Sequence, residues 1–150
     1  MTNRVWQIPE GLKVLEDGTW MVGDLQVIHP PSLRFFKQNL VFDETGAFVV
    51  NGPQRTRVQV GGPAYVVVSI VLDRTRNVAH AVLDDGSDEV VDDETIGMNE
   101  VTGRFECVVK GGHARAVLSR SAHQTLIEHV EDRGGTFALR VGDRAISIRT

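Results

Sequence analysis

The side chains best equipped for chemistry in this 150-residue chain are five histidines, one cysteine, an acidic run and a set of arginines. His123 and His129 lie six positions apart in a helix-like stretch, so they do not share a face. His29, His80 and His113 have no ligand-type neighbour at metal-site spacing. The segment Thr125–His129 (TLIEH) ends like a zinc-binding H-x-x-E-H helix, but Thr125 stands where the first histidine is required. No metal site is expected. Cys107 alternates with Phe105 and Val109 in FECVV, which places it on the apolar face of a strand. A thiolate nucleophile needs a base and electropositive surroundings, and the sequence offers neither. No catalytic residue is assigned, and enzymatic activity is the less favoured expectation.

The run LDDGSDEVVDDE carries hard oxygen donors, yet Gly86 occupies a ligand position of a calcium loop and the closing glutamate is misplaced. It reads as a solvated acidic turn. GGPAY (Gly61–Tyr65) and KGGHAR (Lys110–Arg115) match neither phosphate-binding glycine pattern and lead into no helix, so no cofactor is expected. What remains is charge recognition. Arg55, Arg57 and Gln59 alternate with Thr56, Val58 and Val60, forming an exposed stripe that could meet an anion. Arg120 opens a helix, and Asp84 and Asp88 could assist as polar or cation-holding groups.

Elements that position these residues follow from periodicity. Lys13–Ile28 has turn pairs Asp17-Gly18 and Gly23-Asp24 between β-prone runs, a hairpin or short meander. Pro30 and Pro31 suit a helix entrance, with Leu33, Phe36 and Leu40 on one face and a stop near residues 43–46. Ala47–Val50 and Arg55–Val60 read as strands. Tyr65–Leu72 (YVVVSIVL) is dense enough in β-branched residues for a central strand, followed by Val78–Leu83. Arg104–Val109 and Ala114–Leu118 form a hairpin. A helix capped by Ser119 or Ser121 runs to residues 128–130, and Thr136–Val141 with Arg144–Arg149 closes the chain.

The junction V-x-D-x-x-G-x-F occurs twice, as Val41–Phe48 and, 89 residues later, as Val130–Phe137. Asp43 and Asp132 can hold a turn, Gly46 and Gly135 can reverse the chain, and Phe48 and Phe137 can anchor the next strand in the core. Val41 and Val130 are expected to close the apolar faces of their helices. The plan is therefore α+β: two duplicated β-α-β lobes of mainly antiparallel strands with one helix each. The lobes are expected at residues 1–62 and 63–150, the second including the central strands.

Composition limits the partners. The net charge of −4 argues against nucleic acid, and no run approaches the roughly 20 apolar residues of a membrane span. The first residues lack the apolar stretch of a signal peptide, and the single cysteine fits a reducing cytoplasm. Cytoplasmic localisation is expected.

The order EDGTWMVGDLQV, SLRFF, DETGAFVV, RVQVGGPAYVVVSI, LDDGSDEVV and VLSRSAHQTLIEHV resembles the bacterial domain-of-unknown-function family 1285 over about Leu15 to Ile148. The resemblance implies a duplicated α+β fold whose C-terminal part is loosely pleckstrin-homology-like. It also implies a nucleotide-like ligand at the lobe interface and a role in signal transduction. Arg120 matches the family pattern, whereas Gly52-Pro53-Gln54-Arg55 and Asp84-Asp85 depart from it. Together these readings favour a non-enzymatic module that binds a small anionic ligand between its lobes, through Arg55, Arg57, Arg120, Asp84 and Asp88. A protein–protein adaptor and a hydrolase with an unrecognised site are the alternatives.

Overall fold

A computed structural model describes residues 7–149, and the chain divides between Ala64 and Tyr65 into two units. In the first, β1 (Leu12–Val14), β2 (Trp20–Val22) and β3 (Leu25–Gln26) form a meander. Next come α1 (Pro30–Gln38), β4 (Leu40–Asp43), β5 (Gly46–Asn51) and β6 (Gln54–Val60). Both meanders join one six-stranded sheet of order β3-β2-β1-β6-β5-β4, with β1 and β6 parallel at its middle. Leu12, Val14, Val49 and Val58 alternate inward on the buried face. There Trp20 stacks on Phe36 of α1 at 5.9 Å between ring centroids, and its Nε1–H donates to the Ala64 carbonyl at 3.0 Å.

The second unit repeats the sheet logic. β7 (Tyr65–Asp73), β8 (Val78–Leu83) and β9 (Asp88–Val91) form one meander, and β10 (Ile96–Met98), β11 (Phe105–Val109) and β12 (Ala114–Leu118) another. The sheet order is β10-β11-β12-β7-β8-β9, again with a parallel pair, β12 and β7, at the junction. The β-branched run in β7 is the central strand that its composition predicts. α2 (Arg120–His129) follows, capped by Ser119, whose Oγ accepts the Ala122 N–H at 3.1 Å. Its buried residues are Ala122 and Leu126. A three-stranded sheet, β13 (Val130–Asp132), β14 (Phe137–Val141) and β15 (Arg144–Ser147), ends the unit.

The architecture is α+β with two helices, as expected, and the duplicated element is a helix followed by a three-stranded meander: α1-β4-β5-β6 and α2-β13-β14-β15. Three local readings need correction. Val41 and Val130 do not close helices, because the chain leaves helix at Asn39 in the first unit and at Val130 in the second. Asn39 ends α1 by directing both its backbone N–H and its side-chain Nδ2–H to the Phe35 carbonyl. The repeated junction is thus the turn of a β-hairpin. Asp43 and Asp132 do hold it: Asp43 Oδ1 accepts the Thr45 N–H at 2.7 Å, and Asp132 Oδ1 accepts the Gly135 N–H at 3.1 Å.

The hairpins differ in register. Asp43 pairs with Gly46 across a two-residue turn, whereas Asp132 pairs with Phe137 across four residues containing Gly134 and Gly135, both at positive φ. Phe48 is buried as expected, but Phe137 is 44% exposed: the longer turn sets it opposite Asp132 at the head of β14, whereas Phe48 lies opposite Val41 inside its hairpin. The acidic run is also not wholly solvated, since Asp85 is buried in the β8–β9 turn.

Trp20 joins the meander, the helix and the end of the unit through one side chain. Trp20→Ala should cost about 3–5 kcal/mol of unfolding free energy. Trp20→Phe, which loses chiefly the buried bond to Ala64, should cost about 1–3 kcal/mol. Urea denaturation of both variants checks the order.

Candidate functional site

The arginine stripe sits where strand alternation puts it, on the face of the first sheet opposite α1's core. Arg57 pairs directly across from Phe48, and Arg55 across from Val50. An aromatic ring on an outward face would normally lie open to water. Here the Arg55 guanidinium carbon lies 3.8 Å from the Phe48 ring centroid and that of Arg57 at 5.0 Å, so the ring is only 9% exposed. Arg55 also pairs with the Asp43 carboxylate, and Arg57 Nη1–H donates to the Thr45 carbonyl at 2.9 Å. Both arginines therefore brace the β4–β5 turn. Hydrogen bonds from the Thr45 hydroxyl and amide, with Arg55 adding to them, hold the Asp43 carboxyl well below the usual carboxylate range, at about 2.

Parallel pairing of β1 with β6 brings Lys13 beside Gln59. Lys13, Arg57 and Gln59 line a shallow depression of about 380 Å³, with Gly11 and Gly23 contributing backbone. Among the described residues no carboxylate lines it. Sequence reasoning missed Lys13. Its alternation with Leu12 and Val14 marks it as outward-facing, but only the non-local register shows that it flanks the arginine stripe.

The other residues singled out from the sequence lie in the second unit and have separate structural partners. Asp84 Oδ1 accepts the Val66 N–H at 2.9 Å at the start of β7. Asp88 Oδ2 lies 3.3 Å from His80 Nδ1 across the β8–β9 hairpin, at an angle that makes no hydrogen bond. Arg120 is the first residue of α2. Ser119, just before it, donates its N–H to the Val67 carbonyl, and Asp84 donates its own to the Val66 carbonyl, so both approach adjacent residues of β7.

A buried polar cluster that periodicity did not reveal lies beside them. Lys110 Nζ–H donates to Asp85 Oδ2 at 2.7 Å and to Ser87 Oγ at 3.1 Å. The Lys110 backbone N–H reaches both Glu89 carboxylate oxygens, and its ammonium lies 5.0 Å from the Tyr65 ring centroid. Burial opposes ionisation of Asp85, but hydrogen bonds from Lys110 and Ser87 and the Lys110 charge outweigh it and lower its pKa. Tyr65 moves the other way, raised by burial and by Asp85, Asp84 and Glu89. Each group of this cluster is engaged in joining the β8–β9 turn to the β11–β12 hairpin. Cys107 is buried and its thiol is pushed up to about 11, chiefly by burial, which makes it a poor nucleophile at neutral pH. Among the described residues, no three His, Cys, Asp or Glu side chains are placed to hold a metal ion. No helix among them is long and apolar enough to cross a membrane.

No protein-family model matches the chain, and no curated protein matches it. Two solved structures share its fold. A DUF1285 family protein from Silicibacter pomeroyi DSS-3 is 19% identical, with a TM-score of 0.72 over 95% of this chain and 81% of that one. A DUF1285 family protein from Shewanella baltica OS155 is 12% identical, with a TM-score of 0.60 over 79% of this chain and 91% of that one. The resemblance to family 1285 drawn from the sequence thus holds for the fold.

Two consequences can be measured. Asp43 has a native pKa below its ordinary value of 3.8, so its stabilisation is present above that value and lost as pH falls through about 2. Asp43→Asn should flatten this part of the acid limb in pH-dependent urea midpoints. Lys110→Met would strand the buried Asp85 carboxylate and should cost about 2–4 kcal/mol, below the fully buried limit because the Lys110 side chain is 25% exposed. The double variant Lys110→Met, Asp85→Leu should recover part of that loss in the same assay.

Proposed function

We propose that this protein is a non-enzymatic binding module that takes a small anionic ligand on the outer face of its first sheet. What supports this reading is the depression shared by Lys13, Arg57 and Gln59, where two cations converge with no lining carboxylate among the described residues. Such a site recognises charge and hydrogen-bond geometry: Lys13 supplies a mobile point charge, Arg57 a planar donor array and Gln59 a donor and an acceptor. Arg55 extends the cationic face by one strand step. A phosphate or carboxylate fits this set, and a nucleotide-like ligand would place its phosphate there. The reading carries with it a sensory or signalling role, in which binding rather than turnover is the output, and a cytoplasmic setting consistent with a free, buried thiol.

The adaptor reading has its own observation. Leu25 and Ile28, at the β3 edge and the approach to α1, are each 75% exposed. An edge strand with apolar neighbours can accept a partner strand.

Thermal-shift titrations with inorganic phosphate, AMP, cyclic AMP and ATP, with Mg²⁺ or EDTA, test the proposal. A ligand at 100 times its Kd stabilises by about 2.7 kcal/mol, enough to move Tm visibly. Lys13→Gln removes a charge without touching the Arg57 brace, and should weaken binding about tenfold or more. Gln59→Glu places a carboxylate in the depression and should abolish it. A flat panel, or affinity indifferent to both substitutions, would exclude this site and favour the adaptor.

A further inference from the structure

The second unit holds a larger and chemically different recess. α2 crosses the strands so that Leu126 forms a buried floor, with Phe105, Ile127, Phe137 and Ile148 around it. The recess measures about 450 Å³, within the range of roughly 300–1,000 Å³ typical of small-molecule sites. Its walls remain open to solvent: Met98 is 51% exposed, Ile127 50% and Phe137 44%. Three large apolar side chains kept half-wet around one hollow need an occupant more than scattered surface residues do. Met98 also provides a flexible wall that can adjust to different shapes.

The rim supplies the polar handle. Arg149 and Glu100 both border the recess. Arg149 Nη1–H donates to the Glu94 carbonyl at 3.1 Å. The guanidinium lies against the Gly97 backbone, so close that a Cβ there would stand 2.6 Å from Nη2 and 2.8 Å from Nε. That packing, with the bond to Glu94, holds the group at the rim, and a side chain at position 97 would displace it. Among the described residues, the Nε–Nη2 edge of Arg149 has no acceptor. A guanidinium edge matches the two oxygens of a carboxylate. One cation beside one carboxylate, Glu100, favours a ligand with a single negative charge and disfavours a polyphosphate.

We infer that this recess binds an amphiphilic monocarboxylate, an acyl chain of medium length whose head group meets the Nε–Nη2 edge of Arg149 and whose tail lies over Leu126. The site is separate from the anion depression of the first unit and does not depend on it.

Isothermal titration of the whole protein with hexanoate, octanoate, decanoate and dodecanoate, and with decanol, tests the inference. Kd should tighten about tenfold for each two-carbon step while the tail still gains buried surface, and level off once the recess is full. Arg149→Gln should weaken decanoate binding about tenfold or more and leave decanol unchanged. Ile127→Glu, at a half-exposed position that tolerates a charge in the fold, should abolish both. Affinity without chain-length dependence, or insensitive to Arg149→Gln, would overturn the inference, as would no heat from any acid. Lys13→Gln serves as the control, since loss of decanoate binding in that variant would move the acid to the first unit and overturn the second site.

Discussion

Each six-stranded sheet is closed by a single parallel pair, β1 with β6 in one unit and β7 with β12 in the other. Every other neighbour relation in these sheets is antiparallel and joins strands adjacent in sequence, which short turns can secure. A parallel pair cannot be made that way, because the chain must travel back to the starting end before the second strand begins. In the first unit the return is made by β2 to β5 with α1 between them, and in the second by β8 to β11. Core composition follows from this constraint. Leu12, Val14 and Val58 at one seam, and Tyr65, Val67, Ala116 and Leu118 at the other, are among the most buried residues.

The same seam creates the polar face of the first unit. Parallel pairing sets Lys13 next to Gln59, and the antiparallel neighbour sets Phe48 under Arg57. A sheet with a helix on one side usually leaves alternating polar residues on the other. Here an aromatic ring interrupts that alternation and is covered by two guanidinium groups. Each such contact contributes only about 0.5–1 kcal/mol at an exposed site. Their larger effect is positional, since they spread the guanidinium groups along the sheet surface beside Asp43.

Strand alternation and turn chemistry made most of the architecture legible in the sequence. The dense β-branched run of β7, the Ser119 cap and the turn-holding roles of Asp43 and Asp132 all follow from local rules. The limits of α1 and α2 were harder to read, because Leu40 and Val41 continue a helical apolar face while also suiting a strand, and tertiary pairing with Val49 and Phe48 decides between them. The fate of Phe137 depended on a hairpin register that identical spacing in two copies does not determine. Of the sites, the arginine stripe was visible as an alternation. Lys13, Lys110 with Asp85, and Arg149 with Gly97 were not, since each takes its meaning from a partner distant in sequence.

The seams also dictate an order of events during synthesis. β7 can pair with β8 as soon as their hairpin emerges, but its other edge stays open until β12 has been made. At roughly 5–20 residues per second on the ribosome, that edge waits several seconds. It belongs to Tyr65–Asp73, the strand richest in the β-branched residues that favour strand-to-strand association between molecules. Nascent chains are therefore most vulnerable to one another in this interval, which makes the timing of β12 a determinant of yield that the finished sheet, with β7 paired on both edges, conceals.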